Sequence, residues 1–276
     1  MGILYPLLGG KWNTPAALAV ATAYMFMPMI AAIVAQKLVM RENLKEPLAI
    51  RFKLNRWFAV AWLLPPVIAG ATFGVSLLLP GVEFAPEMEG FLARLQETMT
   101  PEQYAQMQEQ MKTIPIAPIY VMILQALIAA ITVNAVAGFG EELGWRGFLY
   151  KEWKHLGFRR LSLLTGATWG IWHAPLILQG HNYPHFPVAG VFMMIIFCIL
   201  WAPLFTLVRM KSGSVIAASI LHGSINASIG ISIVYVKGGN ELLIGGTGLA
   251  GFIVLVGANA LVWVFRHKLI VPMQGN

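Results

Sequence analysis

Residues 117–147 read APIYVMILQALIAAITVNAVAGFGEELGWRG, and this stretch decides the fold. Its first 23 residues, up to Phe139, are long and apolar enough to cross a bilayer as a helix. The run then ends on two carboxylates and a guanidinium, Glu141, Glu142 and Arg146. Charges at such a place are costly in lipid and are functional candidates for that reason.

The rest of the chain repeats the apolar part of this pattern. Of 276 residues, 58% are hydrophobic and 11% charged, against about 25% charged in a soluble domain. Apolar spans are expected at 14–38, 57–80, 115–137, 161–179, 187–208, 214–236 and 244–265. The sequence therefore predicts an all-α protein, a polytopic transmembrane bundle of 7–8 helices around an internal catalytic cavity. Prolines inside the spans, such as Pro28, Pro65, Pro66 and Pro203, are read as kinks. We expect one integral membrane domain over 1–276, a catalytic core at 115–236 and an external polar loop with a short helix at 82–112. In that loop Thr100, Pro101 and Gln103 form a capping-box start for a helix running to about Lys112.

Charge excludes other classes. The net charge of +7 comes from Lys and Arg beside the spans, which is a topology signal and not a nucleic-acid surface. Basic residues collect in 36–56, 138–160, 209–213 and the C-terminal tail, whereas 82–112 is acid-rich. Seven crossings then put the N-terminus outside and the C-terminus in the cytoplasm. The N-terminal segment lacks a basic n-region and reads as retained. The single cysteine, Cys198, rules out an internal disulfide and reads as a small apolar residue. The chain contains no Asp, which removes aspartic proteases, and it contains no GxSxG elbow.

Few polar side chains fall inside the spans. Glu142 and Arg146, four apart, share a helix face as an ion pair, while Glu141 projects about 100° away and stays available. His173 follows Gly166 and Gly170, a GxxxG pair, and should point into the bundle. His222 and Asn226 share a face four apart, with Ser219, Gly223 and Gly230 on much the same side. Gln125, Asn134 and Asn259 read as interhelical hydrogen-bonding residues. His181 and His185 fall in a Pro-interrupted loop and read as surface residues. Depth brings the others together: His173 lies about 18 Å and His222 about 12 Å into their spans. Glu141 joins them if its helix tilts strongly or breaks at Gly138 or Gly140, which would let Glu141 open a new helix. Singly, each feature has an ordinary explanation as an interfacial pair or packing residue. Two acids, two imidazoles and an amide at one depth are an expensive way only to hold helices.

These residues, Glu141-Glu142-x-x-x-Arg146, an aromatic (Trp169) four before His173, and His222-x-x-x-Asn226, resemble the three motifs of the CAAX-protease and bacteriocin-processing family, also called the Abi or type II CAAX prenyl endopeptidase family. The resemblance covers about 115–236. Trp169 departs from a position that is often phenylalanine. The resemblance implies a glutamic-type intramembrane protease that uses no cofactor and no metal. Glu141 with His173 would activate water, His222 and Asn226 would donate to the oxyanion, and Glu142 with Arg146 would support the site. The implied substrate is a membrane-associated peptide or protein tail, with or without a lipid on it, and the implied location is a multi-pass integral membrane protein, in the cell membrane if prokaryotic. Two readings stay open beside it. One Glu and two His also suffice to ligate a catalytic zinc, and a non-catalytic transporter or immunity protein could use the same polar cluster to bind a ligand.

Overall fold

The computed structural model describes residues 2–10, 15–113 and 117–270. In chain order it forms α1 (Leu4–Leu7), α2 (Pro15–Met25), α3 (Met27–Val34), α4 (Arg56–Ser76), β1 (Val82–Phe84), α5 (Glu89–Thr98) and α6 (Pro101–Thr113). There follow α7 (Pro118–Ile131), α8 (Val133–Glu142), α9 (Tyr150–Trp153), α10 (Gly157–Ile177), α11 (Pro187–Ser212) and α12 (Val215–Ser228). The last are β2 (Val236–Gly238), α13 (Leu249–Val264) and α14 (Arg266–Leu269). The fold is an all-α membrane bundle. Each of the seven apolar stretches contains helix, but 77–80, 234–236 and 244–248 are not helical; the expected starts at residue 14 and residues 115–116 fall outside the described residues. Among the described residues, four helices are individually long and apolar enough to cross a membrane, or five if the bent pair Pro118–Ile131 and Val133–Ile177 counts as one span.

Local chemistry sets the helix starts. Asn55 accepts from the Trp57 amide to cap α4, and Ser214 accepts from the Ile216 amide to cap α12. Helix α4 runs through Pro65 and Pro66, and α11 through Pro203, without ending. The capping box of α6 is present in both directions: Thr100 N donates to Gln103 Oε1 at 3.0 Å, and Gln103 N to Thr100 Oγ1 at 3.3 Å. The 82–113 region is more built than a loop with one helix. It also holds α5, and β1 pairs antiparallel with β2 across Val82–Gly238, Glu83–Lys237 and Phe84–Val236.

Glycines set how closely the helices approach. A Cβ on Gly166 would lie 2.8 Å from Ala202 Cβ, and one on Gly170 2.6 Å from Ile195 Cα, so the GxxxG pair seats α10 on α11. On α12, a Cβ at Gly223 would meet Ala130 O at 2.5 Å, which lets α12 nest against the α7–α8 junction. Gly230, expected on the same small-residue face, meets nothing within 4 Å. Of the three expected interhelical amides, Asn259 bonds Leu200 O at 2.8 Å.

Two expectations need correction. The chain does not break at Gly138 or Gly140. It bends by 45° at Thr132, which has φ −117 and ψ −108 and whose hydroxyl bonds back to Ile128 O. Gly138 and Gly140 lie inside α8, where they admit His222 and the Met25 carbonyl at close range. Nor is the 138–160 segment a basic loop. After Glu142 the helix loosens into a π-helical turn, Leu143–Leu149, a form concentrated at functional sites. Arg146 within it is buried, and so is Arg209, which belongs to α11 and not to a loop. Arg209 Nε donates to Arg146 O at 2.8 Å and its guanidinium lies over the Tyr150 ring, so it satisfies a carbonyl of the loosened turn.

Candidate active site

The C-terminal end of α8 carries Glu141 and Glu142, 3% and 0% exposed. Glu142 Oε1 accepts from Arg146 Nη1 at 2.9 Å and from His222 Nδ1 at 2.9 Å. The four-residue pairing read from sequence is present, and it extends across to α12. The Arg146 guanidinium lies 3.9 Å from the Phe205 ring centroid and 4.8 Å from that of Trp169. Two aromatic faces thus take the place of water around a buried cation.

Glu141 is held differently. Its Oε2 accepts from Trp169 Nε1 at 2.7 Å and, at a long 3.5 Å, from Trp145 Nε1. No arginine pairs with it directly, as the spacing predicts. One turn after Trp169 on α10, His173 brings Nδ1 to 2.8 Å from the Trp169 carbonyl. A carbonyl only accepts, so Nδ1 carries the proton and Nε2 of the neutral ring keeps its lone pair. By the same logic His222 donates through Nδ1 to the carboxylate, leaving Nε2 for other partners.

Glu141, His173, His222 and Asn226 all line one cavity of about 340 Å³. Tyr24, Trp169 and Trp172 form part of its wall, with the Tyr24 and Trp172 rings stacked 4.1 Å apart. Glu142 and Arg146 lie behind that wall, buried. Every site residue read from sequence therefore falls on this cavity or directly behind it. The cavity meets a second, larger one of about 650 Å³ along Asn182, Ile229 and Thr247. That chamber reaches Arg94 and Glu97 of α5 and lies at the end of the bundle opposite the basic loops.

Two residues were misread in sequence. His181 is not a surface residue: it lines the cavity, and burial first, then the neighbouring His173, pushes its pKa down to about 4. The turn that folds the loop back is local, since Gly180 at φ +91 lets His181 N bond Leu176 O at 3.2 Å, but the cavity it turns His181 into is built by other elements. His185, by contrast, is exposed and pairs with Glu241 at 3.2 Å. Trp169 was read only as an aromatic at a motif position. It bonds Glu141, accepts from His173 through its carbonyl, and lies 5.4 Å from the His222 ring. Its spacing four before His173 was the available signal. Among the described residues, no group of three His, Cys, Asp or Glu is placed to hold a metal ion.

Comparison with curated proteins gives no match. Comparison with protein families gives one that covers α8, α10 and α12 together: residues 122–228 match the family described as type II CAAX prenyl endopeptidase Rce1-like. The motif residues, the cavity they line and this match coincide on the same helices, so residues 122–228 are similar to the Rce1-like type II CAAX prenyl endopeptidase family.

Proposed function

We propose that the protein is a multi-pass intramembrane endopeptidase of the glutamic type, hydrolysing a peptide bond in a membrane-associated peptide or protein tail. The observation that carries this reading is the meeting of Glu141, His173, His222 and Asn226 on one cavity with Glu141 left unpaired to any arginine. Glu141 accepts a proton from a water that His173 Nε2 helps to orient, and the water oxygen bonds to the scissile carbonyl carbon. Negative charge develops on the carbonyl oxygen, which accepts hydrogen bonds from His222 Nε2–H and the Asn226 amide. Such donors are most effective where water is excluded. The C–N bond then breaks as protonated Glu141 delivers its proton to the leaving amine. Glu142 and Arg146 act through His222: the carboxylate accepts from Nδ1–H and stabilises the imidazolium form, in which Nε2 also carries a proton and can donate to the oxyanion. Residues 115–236 form the catalytic core of one membrane domain.

Incubating the purified protein in detergent with a peptide library should give discrete cleavage. Glu141→Gln, His173→Ala and His222→Ala should each lower kcat/KM by about 10³-fold or more. Unchanged cleavage by folded variants would refute the assignment. Activity is expected to persist in strong chelator; its loss, with rescue by zinc, would favour the metal-dependent reading. Specific ligand binding without any cleavage would favour the transporter or immunity reading.

A further inference from the structure

At the end of the bundle that carries the basic loops, the start of α10 and the α13–α14 corner enclose a cleft of about 480 Å³. Arg159, Arg160, Arg266 and His267 line it, and no carboxylate does. Two of these guanidiniums share one indole: Arg159 lies 3.8 Å and Arg266 4.4 Å from the Trp263 ring centroid. Among the described residues, none of the three arginines has an acidic partner. Arg159 and Arg160 also occupy the first turn of α10, the end of a helix that favours negative charge. Among the described residues, nothing supplies these three clustered cations with a counter-charge.

The cleft does not end in the basic layer. It shares Phe158, Arg159, Trp263 and Ile270 with a groove of about 290 Å³ that runs between α10, α11 and α13. Leu163, Ile199, Pro203 and Val262 line the groove, with Ser162 and Asn259 as polar members, and Leu163 is 54% exposed on the outer surface of the bundle. A basic cleft that continues into a largely apolar furrow matches an amphiphile with an anionic head and a hydrocarbon tail. Arginine forks suit phosphate oxygens, and basic pockets at the cytoplasmic ends of helices suit anionic head groups.

We propose that this cleft and groove form a binding site for one anionic phospholipid, its phosphate held by Arg159, Arg160 and Arg266 and one acyl chain lying along Leu163. The site is separate from the Glu141 cavity and does not depend on the proposed proteolysis.

The test is native mass spectrometry of the full-length protein in detergent, offered phosphatidylglycerol and phosphatidylcholine of identical acyl chains. Retention of one phosphatidylglycerol per chain, preferred about tenfold over phosphatidylcholine, is expected. Arg159→Gln with Arg266→Gln should remove the preference. Leu163→Trp, which fills the groove and keeps every arginine, should lower retention by a similar factor. Equal retention of both lipids by the wild type would overturn the proposal without any variant. So would an equal loss in Lys45→Gln with Lys53→Gln, which would mean diffuse surface charge. Unaltered retention in Leu163→Trp combined with displacement by excess inorganic phosphate would mean a free-anion site and would overturn it as well.

Discussion

Trp169 does at the residue scale what the sequence motif did not announce. Phenylalanine, frequent at this position in the family the sequence resembles, could stack on His222 and Arg146 but could not donate to Glu141. Trp169→Phe keeps most of the ring and deletes only the 2.7 Å hydrogen bond. A hydrogen bond to a charged group contributes about 1.5–3 kcal/mol to stability, so the melting temperature should fall, and kcat should fall by about tenfold as Glu141 loses its anchor. Steady-state kinetics on the folded variant checks this, and an unchanged kcat would mean that the indole only packs. Glu142 stands in the opposite position, since it compensates a buried cation. Glu142→Ala leaves Arg146 without its anion and should cost about 3–5 kcal/mol of stability, read as a large fall in melting temperature. The division of labour between the two glutamates was legible from spacing alone, because four residues place side chains on one face in α and nearly so in the π turn. The Trp169 and His181 contacts were not, since both depend on how α10 and its following loop meet α8.

At the scale of elements, the bend matters more than the glycines that were expected to cause it. Sequence reasoning asked for a strong tilt or a break at Gly138 or Gly140, because a straight helix would carry Glu141 too far along to join His173 and His222. The observed bend is at Thr132, where the hydroxyl competes for a helix carbonyl, while the glycines buy closeness to α12 and α2. Gly223 carries the most demanding contact at that junction. Gly223→Val should destabilise by about 1–3 kcal/mol and displace α8 from α12, lowering activity along with melting temperature. The α6 cap makes a contrast, because it is remote from the cavity. Thr100→Ala should cost about 1 kcal/mol locally, seen as faster amide exchange in α6 with cleavage unchanged. This cap was fully legible, being a local interaction between residues three apart. So was the GxxxG contact of α10, whose partner on α11 was not.

For the whole molecule, the cavity opens toward the end that bears the 82–113 region, away from Arg41, Lys45, Lys53 and Lys154. If the basic face is cytoplasmic, substrate reaches Glu141 from the other side. In intact cells or oriented vesicles, His185→Cys should react with a membrane-impermeant maleimide added outside, and Lys53→Cys should not. The same end carries the pH sensitivity. His181 has a pKa of about 4 in the folded state and about 6.5 unfolded. The unfolded chain therefore binds more protons between these values, and stability is full above pH 6.5 and falls as pH drops toward 4. The loss amounts to about 2 kcal/mol between pH 7 and pH 5. Melting curves at the two pH values should separate in the wild type and converge in His181→Gln.

The π-helical turn at Leu143–Leu149 has one further consequence. Compared with α-helix it winds in surplus chain, so it works as a phase shifter: everything after it is rotated relative to Glu141 and Glu142. Tyr150 comes to face Arg209, and Lys151 reaches Glu42 at 2.6 Å. Removing Phe148 or Leu149 from this turn would delete no group of the candidate site, yet it would restore α-helical phase. One end of the helix would then be misaligned with its neighbours by roughly 100°. The two ends of the bundle are thus kept in register by a counting device, and length at this point is under tighter constraint than composition.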